Sequence, residues 1–260
     1  MVLSSAITRQ TVYLGDYTAL TRLLEGPKIY VDTRDIGIAS HLMLEGQWEP
    51  WVARVVMSYV KPGMRVCDIG ANFGYYTLLM AKAVGESGRV YSAEINSRML
   101  ELLRKSISIN GFQDRISLLD VAAWDSEESL SFTFDENYSG GGYVQSRTAG
   151  EAVTSQHVRA QRLDTLIEGP VDVIKIDIEG AEERALRGLE KTIDASQRLV
   201  IVSEFLAGSF TDPVAFLEYY AQRGFVIQEI TPAGVGRRRS PSEIVASVGA
   251  KLSYLLLVRQ

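Results

Sequence analysis

The segment VDVIKIDIEGAEERAL, residues 171–186, starts as an apolar run and ends in acids: Asp177, Glu179, Glu182 and Glu183. Side chains alternate along a strand, so Val173, Lys175 and Asp177 share one face while Ile174, Ile176 and Ile178 share the other. Asp177 and Glu179 then lie at or past the carboxyl edge of that strand. RLVIVSEF reads as the next strand and ends near Glu204. A carboxylate in such a corner can orient a hydroxyl and take its proton. Several together can instead hold a divalent cation, and oxygen-only ligands suit magnesium or calcium better than zinc. Lys175 can neutralise part of the cluster from the same face, which favours direct action and no metal. The lysine reads foremost as a partly buried cation paired with Glu204 or Asp177, and secondly as a group that orients a substrate. Glu182 and Glu183 suit the first turn of a following helix.

A second stretch, VCDIGANFGYYTLLMA, carries different chemistry. A strand ends at Asp68, a turn bearing Gly70 and Gly74 follows, and a helix starts near Tyr75, continuing through Tyr76 and Thr77. The glycines permit close approach of a ligand to the backbone. Asn72 tolerates the left-handed conformation. The helix start offers free N–H groups to an anion. Glu94 ends the next strand, RVYSAEIN, about 20 residues on, where an acid accepts hydrogen bonds from ribose hydroxyls. The dinucleotide fingerprint fails, because from Gly70 its second and third glycine positions hold Asn72 and Tyr75. Read alone, the turn is either a cofactor site or a plain strand–helix connection.

Elements alternate from residue 64 onward. MRVCDIGA, RVYSAEI, ISLLDVAAW, VDVIKIDI and RLVIVSEF read as strands. GYYTLLMAKAVG, SRMLELLRKSISING, AEERALRGLEKTI and DPVAFLEYYAQRG read as helices between them. Such alternation predicts a mostly parallel sheet covered on both faces. FVIQEI and KLSYLLLVRQ, with no clear helix between, predict a final hairpin. Residues 1–60 read as a partly helical N-terminal extension and cap, and 61–260 as the main domain. Residues 125–168 read as inserted β-structure, with the SGGG run at 139–142 as a lid or hairpin loop.

The order Asp68, Gly70, Asn72, Gly74 resembles motif I of the S-adenosylmethionine-dependent methyltransferases. The wider pattern resembles the FkbM-type methyltransferase family: GQWEPWVARVVMSYVKPGMRVCDIGANFGYYTLLMA, then GRVYSAEIN, SISINGF and VDVIKIDIEGAEERALRGL, across roughly residues 46–206. IKIDIEGAE is the most distinctive part. YSAEIN departs from the family, which usually has proline where this chain has Ile95, an apolar residue able to pack on adenine. The resemblance implies a class I methyltransferase fold, a Rossmann-like α/β architecture with a seven-stranded sheet. It implies S-adenosylmethionine as cofactor and methyl transfer, usually to oxygen, on small molecules or sugar units. It further implies that Asp68 anchors the methionine end and that Asp120 and Ala122 flank adenine. Trp48 and Glu49 read either as part of an ordinary surface helix or, as the resemblance implies, as residues that close over the cofactor, while Asp177, Glu179 and Glu204, with Lys175, are expected to surround the acceptor. An RNA methyltransferase and a non-catalytic cofactor-binding protein of this fold are the alternatives.

Other residues are weaker candidates. His41 and His157 are each possible bases but more ordinary as surface or structural side chains. Arg237, Arg238 and Arg239 read as a solvated loop, and Cys67 as core. The chain has 260 residues, 46% of them apolar, and a net charge of −5. That balance disfavours a nucleic-acid partner. One cysteine excludes an internal disulfide and suits a cytoplasmic protein. The first residues lack a signal-peptide pattern, and no apolar run reaches the ~20 residues of a membrane span. A homo-oligomer is left open.

Overall fold

The computed structural model describes residues 10–144 and 154–260. The chain opens with an antiparallel meander: β1 (Val12–Gly15), β2 (Thr18–Arg22) and β3 (Lys28–Asp32). Helices α1 (Ile38–Leu44) and α2 (Pro50–Tyr59) follow. The alternating core comes next: β4 (Arg65–Ile69), α3 (Tyr75–Val84), β5 (Arg89–Ala93), α4 (Ser97–Asn110) and β6 (Ile116–Leu119). The insertion contains β7 (Ala122–Ala123), β8 (Glu128–Asp135), β9 (Tyr138–Val144) and β10 (Thr154–Gln161). The rest is β11 (Val173–Ile176), α5 (Glu182–Arg187), α6 (Glu190–Ala195), β12 (Leu199–Phe205), α7 (Pro213–Gln222), β13 (Val226–Thr231), β14 (Gly234–Val235), α8 (Pro241–Val248) and β15 (Ser253–Arg259).

The main sheet runs β14-β13-β15-β12-β11-β4-β5-β6. Seven strands form its body, and the two-residue β14 adds an eighth at one edge. β4, β5, β6, β11 and β12 pair in parallel, and β15 is antiparallel to both neighbours. From β4 the chain builds outward to β6 and then returns to β11 on the other side. That reversal opens a crevice beyond the carboxyl ends of β4 and β11, where ligands bind in this architecture. Apolar side chains of both sheet faces are buried, with Val66, Val90 and Val173 in one cluster and Cys67, Ile174 and Ile176 in the other. Helices cover each face.

Several expectations need correction. The N-terminal extension is partly helical, in α1 and α2, but the three strands before them were not expected. In β3 Ile29 and Val31 are buried while Lys28 and Tyr30 are partly open, a period-two pattern overlooked in a short, polar stretch. The meander packs on α4, where Tyr30 N donates to Ser106 Oγ (2.9 Å) and Lys28 N to Asn110 Oδ1 (2.8 Å). The SGGG run lies within β9, not in a loop. The expected helix over 181–193 is two short ones, with Gly188 and Leu189 between them; Gly188 passes so close to Trp124 that a Cβ there would sit 1.8 Å from its carbonyl oxygen. The terminal strands do pair, yet α8 lies between them, started by a capping box in which Ser240 and Glu243 satisfy each other's backbone N–H.

Gly70 lines the cavity and also has a packing role beyond the one expected. Its φ is +79°, and a Cβ there would meet the Asp177 carbonyl oxygen at 1.9 Å. The glycine lets the ends of β4 and β11 close on each other, whatever approaches from outside. Gly111 shares the positive φ, +70°, but faces open space. Gly111→Ala should therefore cost only the left-handed backbone penalty, about 1–2 kcal/mol. Gly70→Ala should cost more, by about 1–3 kcal/mol of overpacking. Denaturant unfolding of the two variants measures the difference.

Candidate active site

One cavity lies over the crevice. It is lined by Gly70, Asn72, Tyr75 and Tyr76 from the first turn, Glu94 and Ile95 after β5, Ala122 in β7, Glu49 before α2, Lys175 in β11, Asp177 and Glu179 after it, and Glu204 in β12. Most of the residues singled out in the sequence thus converge. Four of the residues expected to bind the cofactor do not line the cavity. Asp68 is fully buried behind it. Thr77 lies behind the turn, donating to Asp68 Oδ2 (2.5 Å) and bonding Ser92 (2.8 Å). Gly74 faces Leu103, which a Cβ would meet at 2.3 Å. Asp120 points to solvent, 3.9 Å from Arg104, and its neighbours Val121, Ala122 and Ala123 line the cavity in its place.

The turn is held by Glu94. Its carboxylate accepts from the backbone N–H of Asn72 (2.7 Å), Ile95 (2.8 Å) and Asn96 (2.8 Å). These bonds occupy much of its acceptor capacity, so Glu94 builds the turn as well as facing the cavity. Burial pushes its pKa up against those three bonds. Asn72 adopts the expected left-handed backbone, φ +52°. Its side chain ties the turn to the insertion: Nδ2 donates to the Ser139 carbonyl (3.2 Å), and Ser139 Oγ donates to Oδ1 (3.2 Å).

The acid corner is organised around Lys175. This lysine is 3% exposed, with Nζ 3.4 Å from Asp177 Oδ2, 4.0 Å from Asp68 Oδ1 and 4.8 Å from the centre of the Tyr76 ring. The expected partner Asp177 is present; Glu204 is not paired to it, and Asp68 takes that place. Burial disfavours the ammonium, but Asp177, Asp68 and Glu49 together raise its pKa. Glu182 accepts from Ile178 N (2.9 Å) and Gly180 N (3.3 Å), fixing the turn that carries Glu179, whose φ is +54°. Carboxylate oxygens of Asp177, Glu179 and Glu204 lie within 4.8 Å of one another, close enough to share a cation.

Sequence reasoning missed Tyr254. It sits opposite Glu204 in the β12–β15 register, and its hydroxyl donates to Asp177 Oδ2 (3.0 Å). That role is visible only once the register is known. It also missed the apolar wall made by Met99 and Phe132. His41 and His157 are exposed and line no part of the cavity; His41 Nδ1 lies 3.1 Å from Glu45. Cys67 is core, and Arg237 and Arg238 are exposed as expected.

Besides Glu94, three acids on the cavity wall have raised pKa values. Glu49 is pushed up to about 7 by burial and the charge of Asp177, opposed by Tyr254 and Lys175. Glu179, at the exposed rim, is pushed up to about 8 by burial of its inner side and by Asp177 and Glu182. Glu204 rises to about 10 through burial, Asp177 and Glu179. An acid whose pKa is higher folded than unfolded holds an extra proton when folded. Its contribution to stability is complete below the unfolded value of about 4.5 and is lost as pH rises through the folded value. Thermal melts should therefore show stability falling from about pH 5 to pH 9, and Glu204→Gln should flatten that fall.

Comparison with known proteins agrees with this geometry. The chain is 32% identical over 80 residues to a demethylmenaquinone methyltransferase of Symbiobacterium thermophilum, covering 30% of this chain and 32% of that one. It is 35% identical over 85 residues to a ubiquinone/menaquinone biosynthesis C-methyltransferase of Burkholderia cenocepacia, covering 32% and 35%. The chain thus spans about a third of the length of these curated relatives. A solved structure from Clostridium thermocellum, provisionally described as an rRNA methylase, superposes with a TM-score of 0.52 at 15% identity over 80% of this chain and 92% of that one, which shows a shared fold. The model of the methyltransferase FkbM domain matches residues 68–227, more than half of the chain. The protein belongs to the FkbM methyltransferase family, and its cofactor is S-adenosylmethionine.

Proposed function

We propose that the protein is an S-adenosylmethionine-dependent methyltransferase acting on a hydroxyl of a small molecule or sugar-containing metabolite. The observation that carries this reading is the division of one cavity into two unlike halves. One half has the glycine turn, Glu94 and an apolar wall of Ile95, Met99, Ala122 and Phe132. The other has Glu49, Asp177, Glu179 and Glu204 around Lys175. The first fits a nucleoside and the second a polar acceptor.

The wall also carries polar atoms that no protein group uses. Glu49 Oε2 and Tyr76 Oη are buried, line this cavity and have no hydrogen-bond partner. Buried polar atoms normally have one, so both are available to bound groups. Bound there, S-adenosylmethionine supplies an electrophilic methyl group. Glu94 and Asn72 hold its ribose side, Ile95 and Ala122 its adenine, and the Asp68–Thr77 pair stiffens the strand end behind its methionine side.

The chain's task on the acceptor side is positioning and charge control. Glu204, with its pKa near 10, carries a proton at neutral pH and can donate a hydrogen bond to an acceptor oxygen. Asp177, bonded to Tyr254 and close to Lys175, stays in place to accept one. Because protons and Lys175 already relieve the crowded charge, direct action by these residues is favoured over a metal. The same acidic wall repels phosphates, and a net charge of −5 adds to that. A small-molecule acceptor therefore suits the site better than RNA, in a cytoplasmic setting.

Three outcomes are expected. Glu94→Ala should weaken S-adenosylhomocysteine binding at least tenfold by calorimetry, about 1.4 kcal/mol, since it loosens the turn as well as removing a contact. Asp177→Asn should cut methyl transfer from labelled cofactor into a metabolite extract at least tenfold while changing cofactor affinity little. EDTA should leave that transfer unchanged. Loss in EDTA and recovery with magnesium would make the carboxylates metal ligands instead.

A further inference from the structure

Among the acids around the cavity, most are already committed. Glu94 accepts three backbone N–H bonds. Asp177 is held by Tyr254 and Lys175. Glu182 fastens the Ile178–Gly180 turn and does not line the cavity. Glu204 holds its proton too tightly to take another, and Glu179 stands at the exposed rim. Glu49 alone of these combines a place on the cavity wall with a buried carboxylate oxygen that has no partner.

We propose that Glu49 is the proton acceptor of the reaction, receiving the proton of the hydroxyl that becomes methylated. The assignment rests on the methyltransferase reading above. In the step, the acceptor's O–H bond breaks and its proton passes to Glu49 Oε2. The oxygen's electron pair forms the new O–C bond. The electron pair of the breaking C–S bond returns to sulfur, leaving a neutral thioether.

The backbone argues that this side chain is held deliberately. Glu49 has φ +41° and ψ +62°, the left-handed region, although it is not glycine and directly precedes Pro50. Helical conformations are disfavoured for a residue before proline, and such strain persists where surrounding structure enforces it, often at functional sites. Here the Glu49 carbonyl accepts from Val52 N (2.9 Å) and Ala53 N (3.0 Å), locking the residue to the start of α2. Its side chain faces Asp177 and Lys175 from the β11 end, Glu179 beyond them, Tyr254 from β15 and Tyr76 from α3. The acids and burial raise its proton affinity, whereas Lys175 and the Tyr254 hydroxyl lower it. The balance near 7 suits a base that must take and release a proton near neutral pH. Tyr254 is accordingly a positioning residue: its hydroxyl donates to Asp177 and lowers the proton affinity of Glu49.

Infrared titration of the full chain, with and without S-adenosylhomocysteine, tests this without needing the acceptor. A carboxyl band with a midpoint near 7 is expected in the wild type and should be missing from Glu49→Gln. Tyr254→Phe, which removes a donor to the carboxylate, should move the midpoint upward. S-adenosylhomocysteine affinity in Glu49→Gln should stay within about threefold, and labelled-methyl transfer into the extract should drop about a hundredfold or more. A band near 7 that survives in Glu49→Gln, or transfer at the wild-type rate, overturns the assignment. An affinity loss of about tenfold or more would make Glu49 a cofactor ligand and overturn it as well. Failure of the wild type to bind S-adenosylhomocysteine would remove the methyltransferase reading itself, and this assignment with it.

Discussion

The buried ammonium of Lys175 is the interaction on which the site depends. It lies among carboxylates from two adjacent strands, 3.4 Å from Asp177 and 4.0 Å from Asp68. Without it, those acids would meet in a low-dielectric crevice with no compensating charge, an arrangement that proteins do not sustain. With it, β4 and β11 can end side by side, close enough that the residue between them must be Gly70. The turn, the cavity and the acid corner all follow from that approach. Among the described residues lining the cavity, Lys175 is the only cation, so further acids there can be accommodated only by holding protons. Burial first, and then that shortage, raises the pKa values of Glu49, Glu179 and Glu204.

Much of this was legible in the sequence. Period-two alternation placed Lys175 and Asp177 on one face, and the strand–glycine–helix pattern placed Asn72 and Tyr76 at the first turn. Strand–helix alternation implied the parallel sheet, and with it a crevice at the carboxyl ends. These features were readable because each is local, a matter of which neighbours along the chain share a face. The partner of Lys175 was not local. Asp68 lies 107 positions earlier and meets it only through the β4–β11 register. Tyr254 was hidden for the same reason, since it reaches Asp177 across two sheet neighbours.

Other misreadings came from short or ambiguous segments. The strands of the N-terminal meander are four or five residues long, too short for their alternation to stand out from a helical period. α8 was overlooked although Ser240 and Glu243 have the spacing of a capping box. Both regions bear on the site indirectly. The meander braces α4, and the segment after it carries Asp35, whose Oδ2 accepts from Ser139 N (2.6 Å), while Ser139 in turn holds Asn72. N-terminal extension, insertion and first turn are thereby joined over the cavity.

Lys175→Met tests the central claim most directly, through denaturant unfolding at about pH 5 and pH 9. Removing one partner from a buried charge cluster is expected to cost about 3–5 kcal/mol. The loss should be greater at the higher pH, because burial raises the pKa of Asp68 and Lys175 is the charge that opposes that rise. A loss of less than about 1 kcal/mol, equal at both pH values, would mean that the ammonium is incidental to the fold of the site and would contradict the account.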